Sequence, residues 1–129
     1  MNEFKIGSHK FGINETLQRP FILAEIGLNH NGDMGLASEM VAAAADTGVD
    51  GVKFQSYFTE EFLHPSLSEA FEIFKSCELR PDEFSTLKSQ AESLDLQFIS
   101  TPLTHSYVKI LNEMGVPAFK VASCDMTYY

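Results

Sequence analysis

Basic residues are scarce in this sequence. Nine lysines and arginines stand against 18 aspartates and glutamates, which gives a formal net charge of -9 at pH 7. Such a chain repels a polyanion overall, and no basic stripe offsets the repulsion, so we expect no binding to nucleic acid. The acidity favours solubility rather than any particular partner.

Cysteines are also few. The sequence has two, Cys77 and Cys124, too far apart for a C-x-x-C pair. They form neither a disulfide framework nor a zinc signature, which favours a reducing, cytoplasmic setting. Residues 1–5 lack the basic start and apolar run of a signal peptide. No apolar run approaches the ~20 residues of a membrane span, so we expect no membrane contact.

The motifs of several common enzyme classes are missing. The turn Gly27–Gly32 is not G-x-G-x-x-G, and the chain has no Walker loop and no G-x-S-x-G elbow. The four histidines show no H-x-x-x-H or H-E-x-x-H spacing, so we predict no metal site within this chain. We interpret His30 as a turn residue rather than a ligand.

The sequence does contain a regular alternation of short apolar strands and amphipathic helices. This order predicts an α/β fold with parallel strands joined by right-handed crossovers. We favour a (β/α)8 TIM-type barrel, truncated to about its first four β/α units, over an open doubly wound sheet. The predicted elements are a hairpin over 4–12, strands over 21–27, 51–55, 97–100 and 118–122, and helices over 36–48, 66–75, from 81 onward and over 106–114. Residues 1–20 would be the hairpin and lead-in, and 21–129 the half barrel.

Two lysines stand inside apolar strands, Lys53 in Gly51–Gln55 and Lys120 in Ala118–Ala122. Such strands are usually buried on both faces, and lysine is almost never fully buried unless it is paired or working. We predict an anion clamp that suits a carboxylate or a phosphate. Two alternatives stay open for these lysines: a Schiff-base amine, and a structural ion pair with Glu25.

Other polar residues lie where the predicted strands end, which is where parallel α/β folds place their sites. Glu25 could be a base, an acceptor for a sugar hydroxyl or the counter-ion of a lysine, and Asp125 is similar. Gln55 ends the second strand. Thr101 and Ser123 would either donate hydroxyl hydrogen bonds to a phosphate or cap the helices that follow their strands.

Four blocks of sequence carry most of these residues. They are Ala24-Glu25-Ile26-Gly27 with Asn29-His30-Asn31-Gly32, then Val52-Lys53-Phe54-Gln55, then Ser100-Thr101-Pro102, then Pro117-Ala118-Phe119-Lys120-Val121-Ala122-Ser123. In this order and spacing they resemble the N-terminal half of the sialic acid synthases, which make N-acetylneuraminate, legionaminate and pseudaminate.

The resemblance implies a (β/α)8 barrel that condenses phosphoenolpyruvate with an N-acetylhexosamine, such as N-acetylmannosamine. The products would be a nine-carbon 2-keto sugar acid and phosphate. It also implies a divalent metal, Mn²⁺ or Mg²⁺, whose ligands lie in a second half of the barrel that this chain lacks. A full-length homodimer with a C-terminal antifreeze-like domain is implied as well.

Site residues follow from the same resemblance, position by position. Lys53, Thr101, Lys120 and Ser123 would hold phosphoenolpyruvate, with both lysines counted as catalytic. Catalytic roles also fall to two carboxylates: Glu25 would face the sugar and its aldehyde together with Gln55, and Asp125 stands where the family commonly has glutamate.

The chain departs from the family's pattern in two places. The segment after Gln55 is short and lacks an asparagine for the sugar, and Cys124 replaces a usual glycine. We expect the 129-residue chain alone to be inactive. A Schiff-base pyruvate aldolase and a non-catalytic half barrel that binds an anion or a sugar remain as alternatives.

Overall fold

The chain opens with a short hairpin. The structure is a computed structural model that describes residues 4–11 and 19–127. Strand β1 (Phe4–Ile6) pairs antiparallel with β2 (His9–Phe11). Gly7 has a φ of 57°, a left-handed conformation that glycine adopts without steric penalty. The hairpin predicted over 4–12 is confirmed as far as Phe11, since Gly12 lies outside the described residues.

Three parallel strands form the central sheet, in the order β3-β4-β5. They are β3 (Leu23–Gly27), β4 (Gly51–Ser56) and β5 (Gln97–Pro102). The first three predicted strands are confirmed with small shifts at their ends. The α/β class and the parallel direction are therefore correct.

The register of the sheet decides which side chains share a face. Glu25 pairs with Lys53, Lys53 with Ile99, and Gln55 with Thr101. Because side chains alternate along a strand, these five residues lie on one side of the sheet. We call this set (Glu25, Lys53, Gln55, Ile99 and Thr101) the polar face.

Helices connect the strands where the periodicity predicted them, and one further short helix, which was not predicted, follows β4. The Asp33 carboxylate caps the first helix by accepting hydrogen bonds from the amides of Gly35 and Leu36 at 2.7 and 3.1 Å. Gly115, in the left-handed conformation, ends the last one. The helices are α1 (Met34–Asp46), α2 (Thr59–Phe62), α3 (Ser68–Cys77), α4 (Pro81–Ser93) and α5 (His105–Met114), followed by a 3-10 turn over Ser123–Asp125. In the described part of the chain, none of them has the length and apolarity that crossing a membrane requires.

The hydrophobic core lies on the side of the sheet opposite the polar face. Val52 and Phe54 of β4 and Phe98 of β5 are buried there. They belong to one cluster with side chains of α1, α4 and α5, among them Val41, Leu87, Tyr107 and Leu111. Burying the apolar side chains on one side fixes the strand register, and with it the position of every residue of the polar face.

The fourth predicted strand is wrong as a strand. Residues 118–122 make one parallel bridge, between Phe119 and Ser100, and the Lys120 amide donates to the Ser100 carbonyl at 3.1 Å. Phe119 is 41% and Val121 57% exposed. Within the residues described, the segment has a neighbouring strand on one side only, so no second ladder holds it extended.

One buried carboxylate ties the hairpin to the start of β4. Asp50 accepts hydrogen bonds from both terminal nitrogens of Arg19 and from the Ile22 amide, and its Oδ1 lies 2.9 Å from His9 Nε2. Burial alone would raise the pKa of Asp50, but the Ile22 amide and the Arg19 guanidinium hold that pKa below its usual value.

Candidate functional site on the polar face

Strands β3 and β4 place a buried lysine against an exposed glutamate. Lys53 Nζ lies 2.6 Å from Glu25 Oε1, and the Lys53 side chain is 6% exposed whereas that of Glu25 is 60% exposed. The burial of Lys53 agrees with its apolar strand. This contact is also the ion pair with Glu25 that the sequence analysis gave as one alternative for Lys53.

The end of β3 beside Glu25 is irregular. Glu25 pairs with Lys53 and Gly27 pairs with the next residue, Phe54, so Ile26 is an extra residue in the strand. Gly27 has a φ of 58°, and a Cβ atom there would lie 3.2 Å from Glu25 Oε1. Glycine therefore permits both the turn of the backbone and the approach of the carboxylate to Lys53.

Thr101 brings a buried hydroxyl to the same face. It pairs with the half-buried Gln55, is 1% exposed, and its Oγ1 has no hydrogen-bond partner. Buried hydroxyls are normally hydrogen-bonded, so this oxygen is available to a ligand atom. The capping alternative for Thr101 is wrong, because β5 continues to Pro102 and the N-cap of α5 is Thr104.

The predicted site residues near the end of the chain have a different environment. Lys120, expected to be buried, is exposed, because residues 118–122 are not enclosed as a strand. Ser123 and Asp125 are exposed as well. Ser123 begins the 3-10 turn, whose N-cap is Ala122, so Ser123 is not a cap. Asp125 lines a cleft with Thr104 and His105 at the start of α5.

The structure thus brings together Glu25, Lys53, Gln55 and Thr101 on the polar face. It holds Lys120, Ser123 and Asp125 in an exposed segment that is joined to β5 through the backbone of Ser100. The bridge joins Ser100 to Phe119, and the residues that follow these two are Thr101 and Lys120. The exposed segment therefore begins beside the end of the polar face.

His30 is a buried residue whose burial the sequence did not reveal. It lies in the predicted turn but is fully buried; its Nδ1 accepts a hydrogen bond from the Gly32 amide at 3.1 Å, and Nε2 has no partner. Its ring packs against Phe54, with centroids 5.9 Å apart. Burial lowers the pKa of His30, and the Gly27 backbone and Glu83 oppose this only in part. No spacing pattern in the sequence signals the burial of His30, because that burial depends on Phe54 of the next strand.

Metal ligation is not supported by the described residues. Over 4–11 and 19–127, the histidine, cysteine, aspartate and glutamate side chains form no group of three that could hold an ion. The side chains of the polar face suit an anion instead, since they offer an ammonium group and a hydroxyl.

Comparison with known proteins identifies relatives. Residues 40–129 match the sequence model of the NeuB family. An uncharacterised protein of Methanocaldococcus jannaschii is 51% identical over 129 residues, which are 100% of this chain and 37% of that protein. An N,N'-diacetyllegionaminic acid synthase of Legionella pneumophila is 34% identical over 120 residues, covering 83% of this chain and 34% of the relative.

The fold has a close counterpart among solved structures. A crystal structure of N-acetylneuraminic acid (sialic acid) synthetase from Leptospira borgpetersenii, in complex with citrate, superposes with a TM-score of 0.85 at 38% identity. The match covers 96% of this chain and 42% of that one. This chain therefore spans well under half the length of the proteins it matches.

Proposed function

The chain belongs to the NeuB family, which confirms its resemblance to the sialic acid synthases, and from this premise we propose that it is the N-terminal part of a phosphoenolpyruvate-dependent synthase. The enzyme would condense phosphoenolpyruvate with an N-acetylhexosamine. The products are a nine-carbon 2-keto sugar acid and inorganic phosphate. In this proposal the parallel sheet and its helices are the first part of a (β/α)8 barrel, residues 1–20 are its lead-in, and the full-length protein is a homodimer.

One observation carries the proposal: a buried ammonium and an unpartnered buried hydroxyl share the polar face. Thr101 lies two residues beyond Ile99, which pairs with Lys53. A charge-assisted hydrogen bond from Lys53 and a second bond from Thr101 would hold an anionic oxygen. Phosphoenolpyruvate offers both a phosphate and a carboxylate for these donors.

The proposed reaction starts at the enol carbon of phosphoenolpyruvate, which attacks the open-chain aldehyde of the sugar. Positive charge then develops at the neighbouring carbon, where water adds. One proton of that water passes to the former aldehyde oxygen, and the other leaves with phosphate as the C–O bond breaks and the ketone forms. Lys53 and Thr101 position the anion, so much of their contribution is orientation. A carboxylate of Glu25 or Asp125 would stabilise the developing positive charge.

Lys120 and Ser123 are proposed as further ligands of the anion. Both are exposed in this chain, so they would reach the phosphate from the segment that begins beside Thr101. Gln55 would contact the sugar. A divalent ion stays an expectation of the family resemblance: the described residues offer no cluster for it, and no step above depends on it.

A Schiff-base aldolase is the main alternative among enzymes. It needs an amine free to attack a carbonyl, whereas Lys53 Nζ is held 2.6 Å from the Glu25 carboxylate. Borohydride reduction in the presence of pyruvate separates the two mechanisms. Our proposal predicts no trapped adduct on Lys53 or Lys120, and a trapped adduct on either would favour the aldolase.

The proposed reaction is tested by phosphate release from phosphoenolpyruvate, using the protein expressed from its complete gene. Mn²⁺ and N-acetylmannosamine or a related amino sugar are supplied. We expect release that requires the sugar, with a product whose mass equals that of the 2-keto sugar acid. A folded protein that binds phosphoenolpyruvate but releases no phosphate with any of these sugars would instead support a non-catalytic binding protein.

A further inference from the structure

The ion pair between Lys53 and Glu25 is asymmetric. Lys53 is almost fully buried, so its ammonium depends on a partner for stability, because an unpaired buried charge is strongly destabilising. Among the described residues, Glu25 is the one carboxylate within salt-bridge distance of Nζ. In the described part of the chain Glu25 is mostly exposed, so water reaches its carboxylate there whether or not the contact with Lys53 is made.

The backbone around Glu25 leaves room for the carboxylate to move. Gly27 has no side chain, and the atom nearest to its Cβ position is Glu25 Oε1 itself. Glu25 also lines an open groove between the edge strand β3 and α1, together with Asn29 and Thr47. A rotation about the side-chain bonds of Glu25 would therefore exchange the ion pair for hydration, without unfolding of β3.

An anionic substrate oxygen and the Glu25 carboxylate would need the same donor. The Lys53 ammonium cannot be left without a partner, so the arriving anion must replace the carboxylate or share Nζ with it. The anion would also accept a hydrogen bond from the Thr101 hydroxyl, which has no partner in the described structure and lies on the polar face. Replacement keeps Lys53 paired throughout, whereas sharing would bring two negative groups together.

We infer that Glu25 is an internal counter-ion that competes with the phosphoenolpyruvate anion for Lys53 and rotates away from Lys53 when the anion binds, which frees its carboxylate for the sugar. This inference rests on the proposed function, because it takes phosphoenolpyruvate as the anion. Its consequence is a reduced affinity in the resting state. The apparent dissociation constant is the intrinsic one divided by the fraction of molecules in which Lys53 is free of Glu25.

The test measures phosphoenolpyruvate binding by calorimetry to the protein expressed from its complete gene. Glu25→Gln removes the competing charge, and we expect binding about tenfold tighter if Glu25 occupies Lys53 in roughly nine molecules of ten. Glu25→Asp keeps the charge but is shorter by one methylene, which breaks the 2.6 Å contact, so it should tighten binding as well. Glu60→Gln is the matched control, because Glu60 is a similarly exposed glutamate paired with a different lysine, Lys75.

Each outcome decides the inference. Tighter binding by both Glu25 variants, with Glu60→Gln unchanged, supports it. Tighter binding by Glu25→Gln alone would indicate simple repulsion through space and overturn it, and so would unchanged or weaker binding by both. If Glu25→Gln does not fold, the result for Glu25→Asp decides. If the unaltered protein does not bind phosphoenolpyruvate, the proposed function itself is wrong. If it binds but the Glu25 variants do not bind more tightly, only the competition by Glu25 is wrong.

Discussion

Gly27 and Gly48 share a left-handed backbone but differ in what surrounds them. Their φ angles are 58° and 73°, and a Cβ would lie 3.2 Å from Glu25 Oε1 at Gly27 but would meet nothing within 4 Å at Gly48. We expect Gly48→Ala to cost about 1–2 kcal/mol from backbone strain alone. Gly27→Ala should lower the free energy of unfolding, measured in urea, by more than Gly48→Ala does. Of the two variants, only Gly27→Ala should change the binding of phosphoenolpyruvate. Equal losses of stability and unchanged binding would refute a special role for Gly27.

The buried His30 makes stability depend on pH. Burial holds the pKa of His30 below 6.5, so on acidification the unfolded chain takes up its proton before the folded chain does. Its contribution is therefore complete above about pH 6.5 and is lost as the pH falls below that value. We expect the free energy of unfolding to drop between about pH 7.5 and about pH 5.5, and to drop less in His30→Gln.

A matched control for His30 is His64→Gln, because His64 is exposed. This variant should keep the pH dependence of the unaltered protein. Identical drops in all three proteins would show that another group is responsible.

Sequence patterns predicted the environment of Lys53 but not that of Lys120. Both lysines stand in apolar pentapeptides, yet Lys53 lies in the central strand of the sheet and Lys120 follows a single bridge. Burial of a strand depends on neighbours that its own sequence does not specify. The same limit applies to His30, whose burial depends on Phe54 of the next strand.

At the scale of elements, the connection between the hairpin and β4 depends on Asp50. Asp50→Asn removes a charge that accepts hydrogen bonds from Arg19 and the Ile22 amide. We expect a loss of about 2–3 kcal/mol in the free energy of unfolding, since hydrogen bonds to charged groups contribute about that much. Because its pKa is lowered from 3.8, the contribution of Asp50 is present above about pH 3.8 and is lost as the pH falls through the lower folded-state value.

The control for Asp50 is Asp46→Asn, which makes the same charge change at an exposed position at the end of α1. Its effect on stability should stay within about 0.5 kcal/mol. Comparable effects of the two substitutions on the free energy of unfolding would contradict a stabilising role for the buried Asp50 carboxylate.

Helix periodicity located the elements better than their inward faces. The three-residue spacing of Val108 and Leu111 predicts that these two side chains face inward in the helix over 106–114. Leu111 is buried, but Val108 is 41% exposed and Tyr107 is buried in its place. The Tyr107 hydroxyl donates to the Leu79 carbonyl at 2.8 Å, so this aromatic side chain is buried with its polar atom satisfied. That carbonyl comes from another part of the chain, which a local pattern cannot include.

At the scale of the whole molecule, the site is built from several strands of one parallel sheet. Each of β3, β4 and β5 contributes at least one residue to the polar face, and residues 118–125 add three exposed candidates. The order of strands and helices predicted this layout, because parallel strands place their C-terminal ends together. The position of the last segment could not be predicted, since it depends on what pairs with its free side.

The central claim is that Lys53 on the polar face binds the phosphoenolpyruvate anion. The most direct measurement compares phosphoenolpyruvate binding to the unaltered protein from its complete gene with binding to Lys53→Met and Lys109→Met. Lys109 is a largely exposed lysine, so its substitution makes the same charge change away from the polar face. We predict that Lys53→Met loses about 2–5 kcal/mol of binding free energy and that Lys109→Met binds normally. Normal binding by Lys53→Met, together with a lowered melting temperature, would contradict the account and leave Lys53 as the structural partner of Glu25.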